Sequence, residues 1–171
     1  MDKTILTLDQ NDNDNRIDTS LRSDYRIRHA ARAVVTDSDG GVALLHARVR
    51  DYYKLPGGGI DDNEDIKTAL ARELIEEIGS TANIIEELGK IVEWRDWNKL
   101  KQISYCFKAV LIGGKGTPAF TQEEIDEGFE VVWTHSIDEA LMLVGSGIDS
   151  EDIHVKFMTV RDKAILQAAN Q

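Results

Sequence analysis

Glu73, Glu76 and Glu77 stand close enough in the sequence to act together. On a helix turning ~100° per residue they fall at about 0°, −60° and +40°, an arc of roughly 100°. Leu70 and Leu74 lie toward one edge of that arc. Carboxylates so grouped repel, weakening an isolated helix by roughly a few tenths of a kcal/mol per pair. A hard cation among the oxygens would turn that repulsion into binding. The stretch from Gly58 to Gly79 holds no Cys or His, so its donors suit Mg²⁺ or Mn²⁺ rather than zinc. A solvated acidic face is the ordinary alternative for such a run.

Directly before this stretch the chain reads Leu55-Pro56-Gly57-Gly58-Gly59. Glycines let a backbone approach a ligand closely and turn N–H groups toward an anion. Alone, the run is equally a flexible turn. Loop and carboxylate helix together describe more: one part to grip phosphate oxygens, the other to hold metal ions against them.

The surrounding elements must position these groups. Arg26–Thr36 and Val42–Ala47 read as strands about Asp37-Ser38-Asp39-Gly40-Gly41, a hairpin signal. Tyr52–Leu55 is a short extended stretch. Ile66, Leu70, Leu74 and Ile78 recur every four residues and predict a helix over 63–78, with Asn63 as cap and Gly79 as stop. Ile84–Arg95, Gln102–Ile112 and Phe129–Thr134 read as strands, and Ser136–Val144 and Ile153–Ala169 as helices. Residues 103–112 are apolar on both alternating faces apart from Ser104 and Lys108, as in a strand covered on both sides. The order predicts a mixed sheet with helices on its faces.

Residues 9–24 are rich in Asp, Asn, Arg and Ser, so residues 1–24 are expected to form a polar arm before a single domain over 25–171. Asp9, Asn11 and Asn13 fall at the alternate positions of a calcium loop. Asp14 stands where that loop needs Gly and Ser20 where it needs Glu, so the calcium reading is rejected.

With 171 residues, one compact domain is the default. The 20 Lys and Arg against 31 Asp and Glu give a net charge of −11. That balance argues against a protein that wraps nucleic acid or rests on an anionic membrane. It leaves small anionic substrates open, because a bound metal reverses the local sign. The single Cys106 forms no internal disulfide and sits in a strand-like stretch, where packing explains it. No apolar run approaches the ~18 residues of a membrane span, and no secretory segment is expected. The expectation is a soluble cytoplasmic protein.

Gly58, five residues, Glu64, seven residues, then Arg72-Glu73-Leu74-Ile75-Glu76-Glu77-Ile78-Gly79 resembles the Nudix box, G-x5-E-x7-R-E-U-x-E-E-x-G-U with U aliphatic. Every fixed position matches except the last, where Ser80 replaces the aliphatic residue. The resemblance extends more loosely over residues 25–169. It implies an α/β/α sandwich on a mixed sheet with the box as loop–helix–loop, and hydrolysis of a nucleoside diphosphate linked to another group. The products would be a nucleoside monophosphate and the phosphorylated group, or pyrophosphate. By the same resemblance Glu73, Glu76 and Glu77 correspond to ligands of Mg²⁺ or Mn²⁺. The Gly58 carbonyl corresponds to a further ligand, and Arg72 and Glu64 to residues that hold the helix in place. The alternative is a catalytically silent Nudix domain that senses a nucleotide such as ADP-ribose.

A diphosphate hydrolase needs a carboxylate to take the proton of the attacking water. In several Nudix families it lies well after the box, and Glu123, Glu124, Asp126 and Glu127 are the candidates here. A helical turn over 121–127 would put Glu124 and Glu127 on one side, with Glu124 slightly ahead. Gly57, Gly58, Gly59, Arg32 and Lys54 are the candidate substrate contacts, and Arg50 is a further nearby cation. Tyr52, Tyr53, Trp94 and Trp97 could stack on a base or serve as core and rim. The four His, at 29, 46, 135 and 154, show no ligand spacing. A small nucleotide-derived substrate is expected, without nucleic acid or membrane; a homodimer is among the states the resemblance allows.

Overall fold

The computed structural model describes residues 2–10 and 18–171. Asn11, Asn13 and Asp14 of the rejected calcium loop lie outside these residues. The strands are β1 (Thr4–Asp9), β2 (Arg26–Thr36), β3 (Ala43–Ala47), β4 (Tyr52–Lys54), β5 (Thr81–Arg95), β6 (Leu100–Ile112) and β7 (Phe129–Trp133). The α-helices are α1 (Ile66–Ile78), α2 (Gln122–Asp126), α3 (Ile137–Gly145) and α4 (Ile153–Ala169).

The strands form a mixed four-stranded sheet, β1-β5-β6-β2, and an antiparallel three-stranded sheet, β4-β3-β7. One buried cluster joins Val34, Leu44, Leu55 and Ile91 to α3 and α4 through Ala140, Val144, Ile165 and Leu166. A second joins Ala31, Ala33, Val35, Leu45 and Phe107 to Leu70, Leu74 and Ile78 of α1. Adjacent residues of β2 and β3 thus feed opposite clusters, which makes an α/β/α sandwich. Burial on both faces explains why these strands are apolar runs rather than alternating ones.

The hairpin signal at 37–41 marks a tight turn, closed by Asp37 N–H donating to the Gly41 carbonyl at 2.9 Å. Beyond the Thr36–Val42 bridge, however, β2 and β3 part into different sheets. Helix α1 begins later than expected. Asp65, not Asn63, is its cap and accepts from the N–H groups of Lys67 and Thr68. Asn63 instead takes a left-handed conformation (φ 67°) in the preceding loop. Gly79 ends α1 as expected, with φ 64°, and a side chain there would collide with the backbone of Thr117.

The segment read as a polar arm includes β1, which pairs in parallel with the edge of β5. Arg22 closes on Asp9 and on Asp96 at 2.6 and 2.7 Å, tying the following 3-10 turn (Thr19–Asp24) to the sheet. Burial pushes the Cys106 thiol up to about 12, which keeps it protonated and fits the packing role. No described helix is long and apolar enough to cross a membrane.

Candidate active site

The glycine loop runs along the free edge of β2. Ala33 N–H donates to the Pro56 carbonyl, Ala31 N–H to that of Gly58, and Ile60 N–H to that of His29. Gly57 (φ 125°) lies so close to β2 that a Cβ there would stand 2.2 Å from the Ala31 carbonyl oxygen. From inside the sheet, Arg32 donates to the Gly57 carbonyl at 2.8 Å. Its Nε is buried without a partner among the described residues. Burial, with Arg161 adding to it, pulls the Arg32 guanidinium down to about 10.

Arg72 draws the box together. Its Nε and Nη2 donate to the two Glu64 oxygens at 3.1 and 2.9 Å, and Nη2 also reaches the Gly59 carbonyl at 3.0 Å. Nη1 donates to Glu73 at 2.9 Å and to Glu76 at 3.2 Å. Glu77, buried, accepts from Lys54 at 2.8 Å and from the Gly57 N–H. The Arg72 hydrogen bond holds the Glu64 carboxyl below the usual range. Burial, then the charge of Glu77, raises Glu73.

Five carboxylates, of Asp61, Glu64, Glu73, Glu76 and Glu77, therefore face the cations of Arg72 and Lys54, an excess of negative charge. The donors are all oxygens, which fits Mg²⁺ or Mn²⁺. As they stand, the carboxylates turn toward Arg72 and Lys54. Among the described residues, no group of three His, Cys, Asp or Glu side chains already converges as a metal cage. The donor set fits the metal in chemistry and charge, and the Glu73 and Glu76 side chains would have to leave Arg72 to close on it.

The Glu73 carboxylate occupies the space beside Gly58, where a Cβ would lie 2.4 Å from its Oε1. Only the far end of a flexible side chain is in the way. Gly58→Ala is therefore expected to leave the thermal midpoint within a few degrees of wild type while sharply lowering turnover. Parallel thermal scans and rate measurements check this, and wild-type turnover would contradict the close packing of loop and helix.

The sequence candidates divide clearly. Gly57, Gly58, Gly59, Arg32, Lys54, Glu64, Arg72, Glu73, Glu76 and Glu77 are joined by the contacts above. Glu124 and Glu127 have other partners. Residues 121–127 do form the expected helical turn, but Glu124 Oε2 is spent on its cap, accepting from Thr121 N–H and hydroxyl at 2.8 and 2.9 Å. Glu127 pairs with Arg50 at 2.9 Å. Tyr52 is core, Tyr53 stacks on His46 and Trp97 meets His154 and Phe157 edge-on. Ser80, the departure from the box, is buried and accepts from Gly116 N–H at 3.0 Å. It anchors the loop after β6, where an aliphatic side chain would only pack.

Sequence reading missed Arg161 and Asp162 of α4, a fully buried pair with Nε–Oδ1 at 2.6 Å. Asp162 also accepts the Leu55 N–H at 2.9 Å, directly before the glycine loop. A charged pair inside an otherwise apolar helix face was the available signal.

A mixed-sheet sandwich with a glycine loop leading into a carboxylate helix defines a class of phosphate-handling folds. The chain belongs to the Nudix family: residues 26–150 match the family described as NUDIX domain. It is 33% identical over 95 residues to an RNA pyrophosphohydrolase of Aliivibrio fischeri (strain MJ11), covering 55% of this chain and 56% of that one. It is 52% identical over 46 residues to the RNA pyrophosphohydrolase of Acidiphilium cryptum (strain JF-5), 27% of each chain. These matches span between about a quarter and a little over half of the relatives' length. Among solved structures, the E. coli ORF135 protein superposes with a TM-score of 0.61 at 18% identity, covering 86% of this chain and 91% of that one. An ADP-ribose pyrophosphatase from Streptococcus suis 89-1591 gives 0.53 at 17%, covering 84% and 92%. At those identities the likeness concerns the fold.

Proposed function

We propose that this protein hydrolyses the diphosphate bond of a nucleoside diphosphate linked to another group, with Mg²⁺ or Mn²⁺ as cofactor. The observation that carries the reading is the Arg72 knot, which gathers Glu64, Glu73 and Glu76 beside Glu77 and the glycine loop with an excess of negative charge. Relatives described as RNA pyrophosphohydrolases support pyrophosphate chemistry.

A diphosphate resists attack because its charged oxygens repel the nucleophile. Glu73, Glu76, Glu77 and the Gly58 carbonyl would hold a divalent cation, which would supply charge neutralisation and an acidified water. The chain's own part is positional. Arg72 orients the helix carboxylates, Arg32 and Glu77 hold the Gly57 carbonyl and N–H, and Lys54 adds positive charge beside the loop. For the water's proton Glu124 and Glu127 remain the candidates, each with one carboxylate oxygen already engaged, Glu124 by its helix cap and Glu127 by Arg50.

The test is product release from a panel of nucleoside triphosphates, nucleotide sugars, ADP-ribose, dinucleoside polyphosphates and 5′-triphosphorylated RNA. Turnover is expected to vanish with EDTA, with the fold retained, and to return with Mg²⁺ or Mn²⁺. Of Glu124→Gln and Glu127→Gln, the one that removes the base should lower kcat by roughly 10²–10⁴-fold with little change in binding. Binding without turnover across the panel would favour a nucleotide sensor instead.

A further inference from the structure

Residues 113–120 join β6 to α2, the short helix that carries Glu124. This strap opens on Gly113-Gly114-Lys115-Gly116, and glycine constrains the backbone least. Helix α2 spans only five residues, too few to hold a place by its own hydrogen bonds. What the strap is fastened to therefore sets where Glu124 and Glu127 stand.

It is fastened to the C-terminal end of α1, where the last carbonyls lack partners within the helix. The Ser80 hydroxyl donates to the Ile78 carbonyl at 3.1 Å, and the Ala119 N–H donates to the Glu76 carbonyl at 2.7 Å. The same hydroxyl accepts the Gly116 N–H at 3.0 Å. One buried side chain thus closes both the helix end and the strap. The two backbones touch directly: a Cβ on Gly116 would collide with the Gly79 carbonyl, and one on Gly79 with Thr117. Just before, Lys115 pairs with Asp37 at 2.7 Å and lies 4.5 Å from the ring centroid of Trp133, at the end of β7. Just after, Phe120 meets Phe129 with ring centroids 6.2 Å apart. Lys54, the partner of Glu77, lies 4.9 Å from the Phe129 ring. The strap therefore bonds the main chain of Glu76 and reaches Glu77 through Phe129 and Lys54. An aliphatic residue at position 80 would make neither of the hydroxyl's bonds.

We propose that Ser80 and Lys115 are positioning residues for the general base: they clasp the strap to α1 and β7, and the clasp sets α2 at the distance from the helix carboxylates that proton transfer needs. The assignment rests on the hydrolase reading and adds what places the base. Since a shift of about 1 Å made far from the chemistry costs about 100-fold in rate, Ser80→Ala is expected to lower kcat about 10–100-fold. The KM for substrate and the Mg²⁺ dependence should stay within about threefold of wild type, because neither is bound by the strap.

The test is steady-state kinetics on a substrate that the wild type turns over, beside amide hydrogen exchange in the whole protein. Exchange at Gly116 and Ala119 should quicken at least about tenfold in Ser80→Ala, with the interior amides of α1 unchanged. Ser80→Thr keeps the hydroxyl and should return kcat to within about threefold of wild type. Lys115→Met alters a side chain 47% exposed and leaves Asp37 its bonds from the N–H groups of Asp39 and Gly41. It should fold as wild type and lower kcat about threefold to tenfold. A purely structural role is separated by a double-mutant cycle. In the Glu124→Gln/Glu127→Gln background Ser80→Ala should change kcat by less than about twofold, because no base is left to misplace. Wild-type kcat in Ser80→Ala, or the same loss in that background, would overturn the positioning role. Should Ser80→Ala fail to fold, wild-type kcat in Lys115→Met would overturn it equally. A wild-type protein that turns over nothing would instead remove the hydrolase reading, and the positioning role with it.

Discussion

Glu76→Gln is expected to lower kcat on a confirmed nucleotide substrate by roughly 10²–10³-fold, the equivalent of several kcal/mol of lost charge stabilisation. The substitution keeps the side chain's size and removes its charge. In the structure Glu76 is the most exposed of the three helix carboxylates, at 48% of its side chain, against 14% for Glu73 and 5% for Glu77. Its protein partner is Arg72 at 3.2 Å, the longest hydrogen bond in the knot. Arg72 keeps Glu64, Glu73 and Gly59 when that contact weakens, so the unfolding midpoint should scarcely move. Steady-state kinetics over a Mg²⁺ series, beside thermal scans, check both halves. Near-wild-type turnover would remove Glu76 from the metal site.

Asp162→Ala is expected to destabilise the protein by about 3–5 kcal/mol, because it strands a buried charge. Asp162 accepts two guanidinium bonds from Arg161, at 2.6 and 3.1 Å, and both residues are almost completely buried. Burial alone would lower the Arg161 pKa, but Asp162 and Glu93 together raise it. Without Asp162, Glu93, 3.9 Å away, is the nearest carboxylate among the described residues to offset that charge. The Leu55 N–H also loses its acceptor. Urea unfolding reads the effect as a fall in midpoint at constant m. Asp162→Asn keeps an acceptor for Leu55 and should recover part of the loss. A change below about 1 kcal/mol for Asp162→Ala would mean that water already reaches this pair.

Much of this architecture could be read from local pattern. The bounds of β2 and α4 match those read from the sequence, Arg26–Thr36 and Ile153–Ala169. Gly79 could be recognised as a stop because glycine takes the left-handed conformation that ends a helix at no steric cost. What depended on distant partners could not be read. β1 is a strand because β5 offers it an edge, and nothing in Thr4–Asp9 announces that edge. The start of α1 lay among Asp61, Asp62, Asn63 and Asp65, each able to cap, and the loop path selected Asp65. The turn at 37–41 was legible, but the parting of β2 and β3 was not, because it depends on which sheet each strand joins.

The site divides in the same way. Spacing along α1 placed Glu73, Glu76 and Glu77 together, and the resemblance supplied Arg72 and Glu64. Arg32 could be singled out as a charge within an apolar strand, yet its bond to Gly57 spans 25 residues and needed the fold. Glu124 looked free in sequence until the capping box claimed it.

Attack of water on phosphorus at the carboxylate helix is read out by turning over a panel substrate with Mg²⁺ in ¹⁸O-labelled water and locating the label by ³¹P NMR and mass spectrometry. A nucleoside monophosphate and a phosphorylated partner, or pyrophosphate, are expected, with ¹⁸O on a phosphorus of one product. Free base or free nucleoside as the first product, or label bonded to carbon, would contradict it.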